Sequence, residues 1–319
     1  MTTPPPPLPA TEGFDPRMES LDSWAAPAIL DALWEGQMSA VAALRPALPA
    51  LAAAAEAAVP RLAAGGRLAY AGAGTSGRLG VQDGAELMPT FDWPAERLVL
   101  LLAGGSDALL GAVENAEDDR EAGRAAIAAH ALGAHDVLLA LAASGATPYT
   151  VACAEAARAR GALTIGIANT PASPLLLASE HAILIETGPE AIAGSTRMKA
   201  GTAQKAALTV FSTLLMVRLG RVWRGRMVDM QARNDKLRRR ALRMVRELSG
   251  ADEAAATRAL EAAGGKVKTA LLMLRGLSAT EAEAALARHG WHLRAALEDS
   301  KAGLCPDPPG ASRPWTGLT

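Results

Sequence analysis

The chain has 319 residues, half of them hydrophobic, with 32 basic and 33 acidic side chains and a formal charge of -1. That length and apolar content exclude a disordered chain and suit one large α/β domain plus a smaller one. The near-zero charge excludes a global field for nucleic acid or an anionic membrane surface, so any anion site is local.

Residues 1–10, with Pro4 to Pro7, read as a disordered start. From Trp24 to about Ala64, Ile29, Leu33, Met38, Val41, Leu44 and Leu48 recur at helical spacing until Gly65-Gly66 ends the pattern. Residues 11–64 are therefore assigned to an N-terminal helical hairpin leading into a sheet. No run of about 18 uninterrupted apolar residues offers a membrane span, and no basic segment followed by an apolar core opens the chain. With Cys153 and Cys305 spaced for neither a metal site nor a disulfide framework, the expectation is a reducing, cytoplasmic setting.

Five short apolar runs then alternate with helical segments: Leu68–Ala71, Leu98–Ala103, Val137–Ala142, Leu163–Ala168 and Ala182–Ile185. This alternation predicts a doubly wound, five-stranded parallel sheet within residues 65–245. Three of the runs end in small or polar groups, at Thr75-Ser76, Gly104-Gly105-Ser106 and Ser144-Gly145-Ala146-Thr147-Pro148. Hydroxyls converging at strand ends describe an anion cradle at a topological switch point. A further hydroxyl-rich segment, Gly194-Ser195-Thr196-Arg197-Met198-Lys199, opens a long apolar helix from Ala200 to about Leu219. Residues 246–300 read as a small three-helix module, and 301–319, with four prolines, as a loose tail.

The loop after the first run, Gly72-Ala73-Gly74-Thr75-Ser76-Gly77-Arg78-Leu79-Gly80, admits two readings. As an anion loop, its glycines let the backbone approach a phosphate, Thr75 and Ser76 donate hydroxyls, and the following helix supplies unpaired N–H groups and a positive dipole end. As a dinucleotide loop, the Gly-x-Gly-x-x-Gly spacing falls on Gly72, Gly74 and Gly77. The second reading lacks its ribose ligand: the next strand ends in Gly104-Gly105-Ser106, with no acidic residue about 20 positions past Gly77.

Two acidic clusters follow the loops, Asp83-Gly84-Ala85-Glu86 and Glu114-Asn115-Ala116-Glu117-Asp118-Asp119. Paired carboxylates beside a phosphate suit proton abstraction and donation, although acidic residues near helix ends are more often caps or solvated faces. A helix unbroken from Ser76 to Glu86 rises about 15 Å, so Glu86 meets the far end of a bound sugar or serves a neighbouring subunit's site. The histidines show no metal-ligand spacing, and Ser144 and Ser195 have no base nearby in sequence, so both read as phosphate ligands or helix caps rather than nucleophiles. The basic run at 234–250 reads as a solvated helix face rather than a nucleic-acid reader.

Together, Gly72–Arg78, Asp83–Glu86 with Pro89-Thr90-Phe91, Glu114–Asp119, Ala143-Ser144-Gly145 with Thr147-Pro148-Tyr149, and Gly194–Lys205 resemble the N-acetylmuramic acid 6-phosphate etherase family, from about Thr11 to residue 300. The resemblance implies a sugar isomerase (SIS) domain of flavodoxin-like topology and a ubiquitin-associated-like C-terminal module. It also implies a cofactor-free, metal-free homodimer that splits the D-lactyl ether of a sugar phosphate by elimination and water addition. It assigns Glu86 as proton donor and Glu117 as second catalytic glutamate, here the base, with Glu114 and Asp118 as its nearest competitors. Thr75, Ser76, Gly77, Ser144, Gly145, Thr147, Ser195 and Thr196 match loops that hold phosphate or sugar. The chain departs from the family at Ala146, where an arginine is frequent, and at Asp31–Gln37, where an Asn-x-Glu-Asp element is frequent. The rival expectations are a non-catalytic sugar-phosphate sensor and an aldose–ketose isomerase on the same fold.

Overall fold

The computed structural model describes residues 10–230 and 234–300. The expected disordered start and loose tail, with Cys305, lie outside them apart from Ala10, which opens a short 3-10 turn, Ala10–Glu12. The chain divides into two compact units, Met1–Leu219 and Gly220–Thr319.

In the first unit, α1 (Ala26–Ala42) and α2 (Leu48–Ala63) form the N-terminal hairpin. The stretch Ala26–Ala63 is long and apolar enough by composition to cross a membrane, contrary to the reading from uninterrupted runs. It is broken between α1 and α2 by a 3-10 turn at Arg45–Ala47, which leaves helices of 17 and 16 residues. Each is shorter than the roughly 20 residues typical of a span.

The sheet follows: β1 (Leu68–Gly72), α3 (Gly74–Phe91), β2 (Leu98–Leu102), α4 (Arg120–Ala129), β3 (Val137–Ala142), α5 (Pro148–Ala159), β4 (Leu163–Ala168), α6 (Pro174–Ala178) and β5 (His181–Leu184), then α7 (Lys199–Arg218). All five strands are parallel, in the order β2-β1-β3-β4-β5. Their bounds depart from the predicted runs by no more than one residue, because buried parallel strands read as short continuous apolar runs between polar turns. One face, with Ala69, Val99, Leu101, Leu138 and Ala140, packs with Ile127 of α4, Val151 and Ala154 of α5 and Leu175 of α6. The other face carries α2 and α3.

Small residues set how closely α3 lies on the sheet. A Cβ on Gly77 would stand 2.5 Å from Leu102 and 2.6 Å from the Gly72 carbonyl oxygen, and one on Gly84 would stand 2.9 Å from Leu100. Of the three glycines that admit a dinucleotide reading, Gly72 and Gly77 thus serve helix–strand packing, whereas Gly74 has open space beside it and a φ of +51°. At the opposite end of the sheet, buried Asp136 ties the start of β3 to the start of β1. Its carboxylate accepts from the Arg67 N–H (2.8 Å), Nε (3.1 Å) and guanidinium (2.7 Å), and from the Gly133 N–H (2.9 Å). Burial works against its ionisation, but these donors prevail and hold the carboxyl below its ordinary range.

In the second unit, β6 (Val222–Trp223) and β7 (Arg226–Met227) form a short antiparallel ladder ahead of α8 (Asp235–Ser249), α9 (Glu253–Ala262), α10 (Val267–Met273), α11 (Ala279–Arg288) and α12 (Leu293–Asp299). Helix α8 runs across the 245/246 boundary expected from sequence. Its Ala241, Met244, Val245 and Leu248 are buried in a core shared with Ala256, Leu271, Leu286 and Leu293, so this unit has five helices among the described residues rather than three. The charge run on α8 masked that apolar stripe. Lys268 is buried with its ammonium on Asp229 (2.6 Å) and the Trp291 carbonyl (2.8 Å), and burial lowers its pKa.

Candidate active site

The switch point lies between β1 and β3, where the chain leaves the sheet in opposite directions. Gly72 and Leu141 are paired across these strands, so the two following loops start at one level. Helix α3 opens without a side-chain cap, its Ala73 N-cap being extended, which leaves the helix's first N–H groups free. Thr75 is half-buried and Ser76 buried. Neither hydroxyl has a hydrogen-bond partner among the described residues. Gly77 gives its N–H to the Ala73 carbonyl (3.0 Å), so it shapes the loop rather than supplying a donor.

In the β3–α5 loop, Gly145 holds φ at +67°, and a Cβ there would overlap the Ser173 hydroxyl at 2.0 Å. Ser144 Oγ accepts from the Ala146 N–H (3.2 Å), closing the loop on itself. Thr147 occupies the N-cap position of α5 but makes no cap bond. Its hydroxyl stays available. Ala146 is exposed.

The two acidic clusters separate in three dimensions. Glu117 is exposed, and its backbone carbonyl accepts the Tyr149 N–H of α5 (3.0 Å), which fixes this segment to the β3–α5 loop. Arg78 of α3 braces the preceding stretch through the carbonyls of Ala108 (2.8 Å) and Gly111 (2.7 Å). Glu86 is exposed on α3 in a cleft of about 230 Å³ between α3 and α7. Asp83, one turn earlier, turns inward to accept from Tyr70 Oη (2.8 Å) and Ser212 Oγ (3.1 Å). Burial raises the Asp83 pKa, and those hydrogen bonds and the charge of Lys205 offset it in part. Sequence grouped Asp83 with Glu86, yet Asp83 ties α3 to β1 and α7 while Glu86 faces the open cleft.

Helix α7 departs from the expected hydroxyl-lined anion site. The carboxylate of Glu190, 1% exposed, accepts the N–H groups of Lys199 (2.8 Å) and Ala200 (2.9 Å). The positive end of α7 is thus neutralised from within. Ser195 and Thr196 stand half-buried ahead of it, and Arg197 is exposed. No local signal in Thr187-Gly188-Pro189-Glu190 announces this fold-back, and sequence reasoning missed it. Three residues further along α7, Gly201, Thr202 and Gln204, pack or bond to neighbouring elements. A Cβ on Gly201 would lie 3.4 Å from Thr75 Cγ2, Thr202 pairs with Gln37 of α1, and buried Gln204 donates to Asn169 (3.0 Å) at the end of β4. Among the described residues no three His, Cys, Asp or Glu side chains gather as metal ligands.

A five-stranded parallel sheet of order β2-β1-β3-β4-β5, with hydroxyl-bearing loops at its switch point, defines an α/β protein of the SIS type. The family models agree: the glucokinase regulatory protein N-terminal SIS domain matches residues 50–158, and the SIS domain matches 121–214. An N-acetylmuramic acid 6-phosphate etherase of Deinococcus radiodurans is 53% identical over 293 residues, covering 92% of this chain and 96% of that protein. Etherases of Streptomyces coelicolor (46% over 288 residues, covering 90% and 93%) and Edwardsiella ictaluri (42% over 290, covering 91% and 97%) are similar along nearly their whole lengths. The chain belongs to the N-acetylmuramic acid 6-phosphate etherase family.

Proposed function

We propose that the protein cleaves the D-lactyl ether of N-acetylmuramic acid 6-phosphate, giving N-acetylglucosamine 6-phosphate and D-lactate, in the recycling of cell-wall amino sugars in the cytoplasm. One geometric observation carries the reading: two exposed glutamates are fixed to the two hydroxyl loops, Glu86 through α3 and Glu117 through its carbonyl on Tyr149. The names of the relatives supply the substrate.

Phosphate sits at the open end of α3, with Thr75, Ser76, Ser144, Gly145 and Thr147 around it; Gly77 shapes the loop, and Ser195 and Thr196 close the sugar side. In the open-chain sugar, Glu117 removes the C2 proton beside the aldehyde, and those electrons form a C2–C3 double bond. The C3–O bond breaks as Glu86 protonates the departing lactate oxygen. Water then adds its oxygen to C3 while a proton returns to C2. A carbon acid needs a positioned base and a poor alkoxide leaving group needs an acid, which is why two carboxylates are required. Turnover in heavy-oxygen, deuterated water tests this: the product gains one oxygen label at C3 and one deuterium at C2, whereas label in the lactate instead contradicts it.

The second reading, a sugar-phosphate sensor, is favoured by the match to the regulatory protein's SIS domain over 50–158. It requires tight sugar-phosphate binding without lactate release.

The same reading makes the protein a homodimer with sites near the subunit interface. Its support is an apolar stripe on α1, where Leu30, Trp34, Met38 and Val41 are all 49% or more exposed at helical spacing. Sedimentation of wild type as a dimer and of Trp34→Glu as a monomer supports it; a monomeric wild type rejects it.

A further inference from the structure

The cleft between α3 and α7 begins at Leu79, one turn beyond Ser76, and continues past Glu86 to Phe91. Its lining holds a single cation, Lys205, opposite two acids, Asp83 and Glu86. Lys205 stands one turn along α7 from Gly201, the residue packed against Thr75 of the phosphate loop. It is exposed and forms no ion pair or hydrogen bond among the described residues. Asp83 is directed to Tyr70 and Ser212, so the ammonium has its donors free.

The etherase reading, on which this inference rests, gives the substrate two anionic ends. One is the 6-phosphate, met by the hydroxyl loops. The other is the carboxylate of the lactyl group, two bonds from the ether oxygen that must be protonated as it leaves. Bringing that carboxylate to Glu86 also brings it near Asp83, and like charges in a partly enclosed cleft repel unless a cation stands between them. Lys205 is the group on that wall able to do so.

We propose that Lys205 binds the lactyl carboxylate, making the α3–α7 cleft the leaving-group subsite. Its ammonium pairs with the carboxylate while Glu86 delivers its proton to the adjacent ether oxygen. The phosphate loop and Lys205 then hold the two ends of the substrate and place the scissile C3–O bond between them. Recognition by charge at the leaving end selects a lactyl ether over neutral ethers and over plain hexosamine phosphates.

The test compares wild type, Lys205→Met and Lys205→Arg on N-acetylmuramic acid 6-phosphate and on its lactyl amide, which has the same shape without the charge. Formation of N-acetylglucosamine 6-phosphate is the readout common to both. Lys205→Met, which keeps an unbranched side chain one atom shorter and without the charge, is expected to lose between about 10- and 100-fold in kcat/KM on the acid, chiefly through KM. The acid-to-amide preference of the wild type collapses toward one, and Lys205→Arg restores most of it. Equal losses on both substrates, or an unchanged preference, overturn the subsite while leaving the etherase reading in place. A wild type that forms no product from the acid overturns the etherase reading and the subsite with it.

Discussion

The first turns of α3 and α7 meet at Thr75 and Gly201, each following a segment rich in glycine and hydroxyls, yet they are wired differently. Helix α3 starts open, without a side-chain cap and with the Thr75 and Ser76 hydroxyls unused. Helix α7 starts closed, its first two N–H groups taken by Glu190. A helix end attracts an anion only while its N–H groups are unpaired. The same local sequence signal therefore heads an open helix end in one case and an internally braced one in the other, and the difference is made by a carboxylate nine residues ahead of Lys199.

If the open end of α3 and the β3–α5 loop beside it hold the substrate, Glu86→Gln should lower kcat by about 10²- to 10⁴-fold with sugar-phosphate binding retained, and Glu117→Gln should do the same. Unchanged turnover in either variant removes that residue from the mechanism. If α7 is a brace, Glu190→Ala should lower unfolding stability by about 2–4 kcal/mol in urea, because two N–H groups lose a charged acceptor. Glu190→Gln keeps an acceptor oxygen and should lose less. Weakened phosphate binding in Glu190→Ala at full stability would instead put Glu190 in the ligand site.

Asp136 calibrates the comparison from the opposite end of the sheet. Replacing it by Asn should cost about 2–3 kcal/mol of stability and leave KM unaltered, since its four donors brace β1 and β3 far from the loops. Its folded pKa lies below that of the unfolded chain, so its contribution is present above about pH 4 and disappears as pH falls through the folded value. Acid titration of stability should be shallower in Asp136→Asn than in wild type; identical slopes would deny Asp136 this role. The smallest effects sharpen the ligand side. Ser76→Ala and Thr147→Val should each weaken sugar-phosphate binding about 3- to 10-fold by calorimetry. Ser195→Ala, ahead of the closed helix, should change it less than either.

The parallel sheet was legible because buried strands bounded by glycine and polar turns leave an unambiguous mark, as Val137–Ala142 and Leu163–Ala168 do. The hydroxyl loops were legible for the same reason: they interrupt that mark at one end of each strand. Helix α8 was misread because six basic residues hide the stripe of Ala241, Met244, Val245 and Leu248 that buries it. Burial also decides Asp83 against Glu86, two carboxylates three residues apart, and it depends on Tyr70 and Ser212, residues distant in sequence. Glu190 lay beyond local reasoning altogether, since its partners are brought to it by a loop with no periodic pattern.

The most direct test of the account is D-lactate release by the purified protein from N-acetylmuramic acid 6-phosphate, with the unphosphorylated sugar as control. The account predicts release confined to the phosphorylated sugar. Tight binding of the phosphorylated sugar with no lactate released would contradict it and leave a sensor in place of an enzyme.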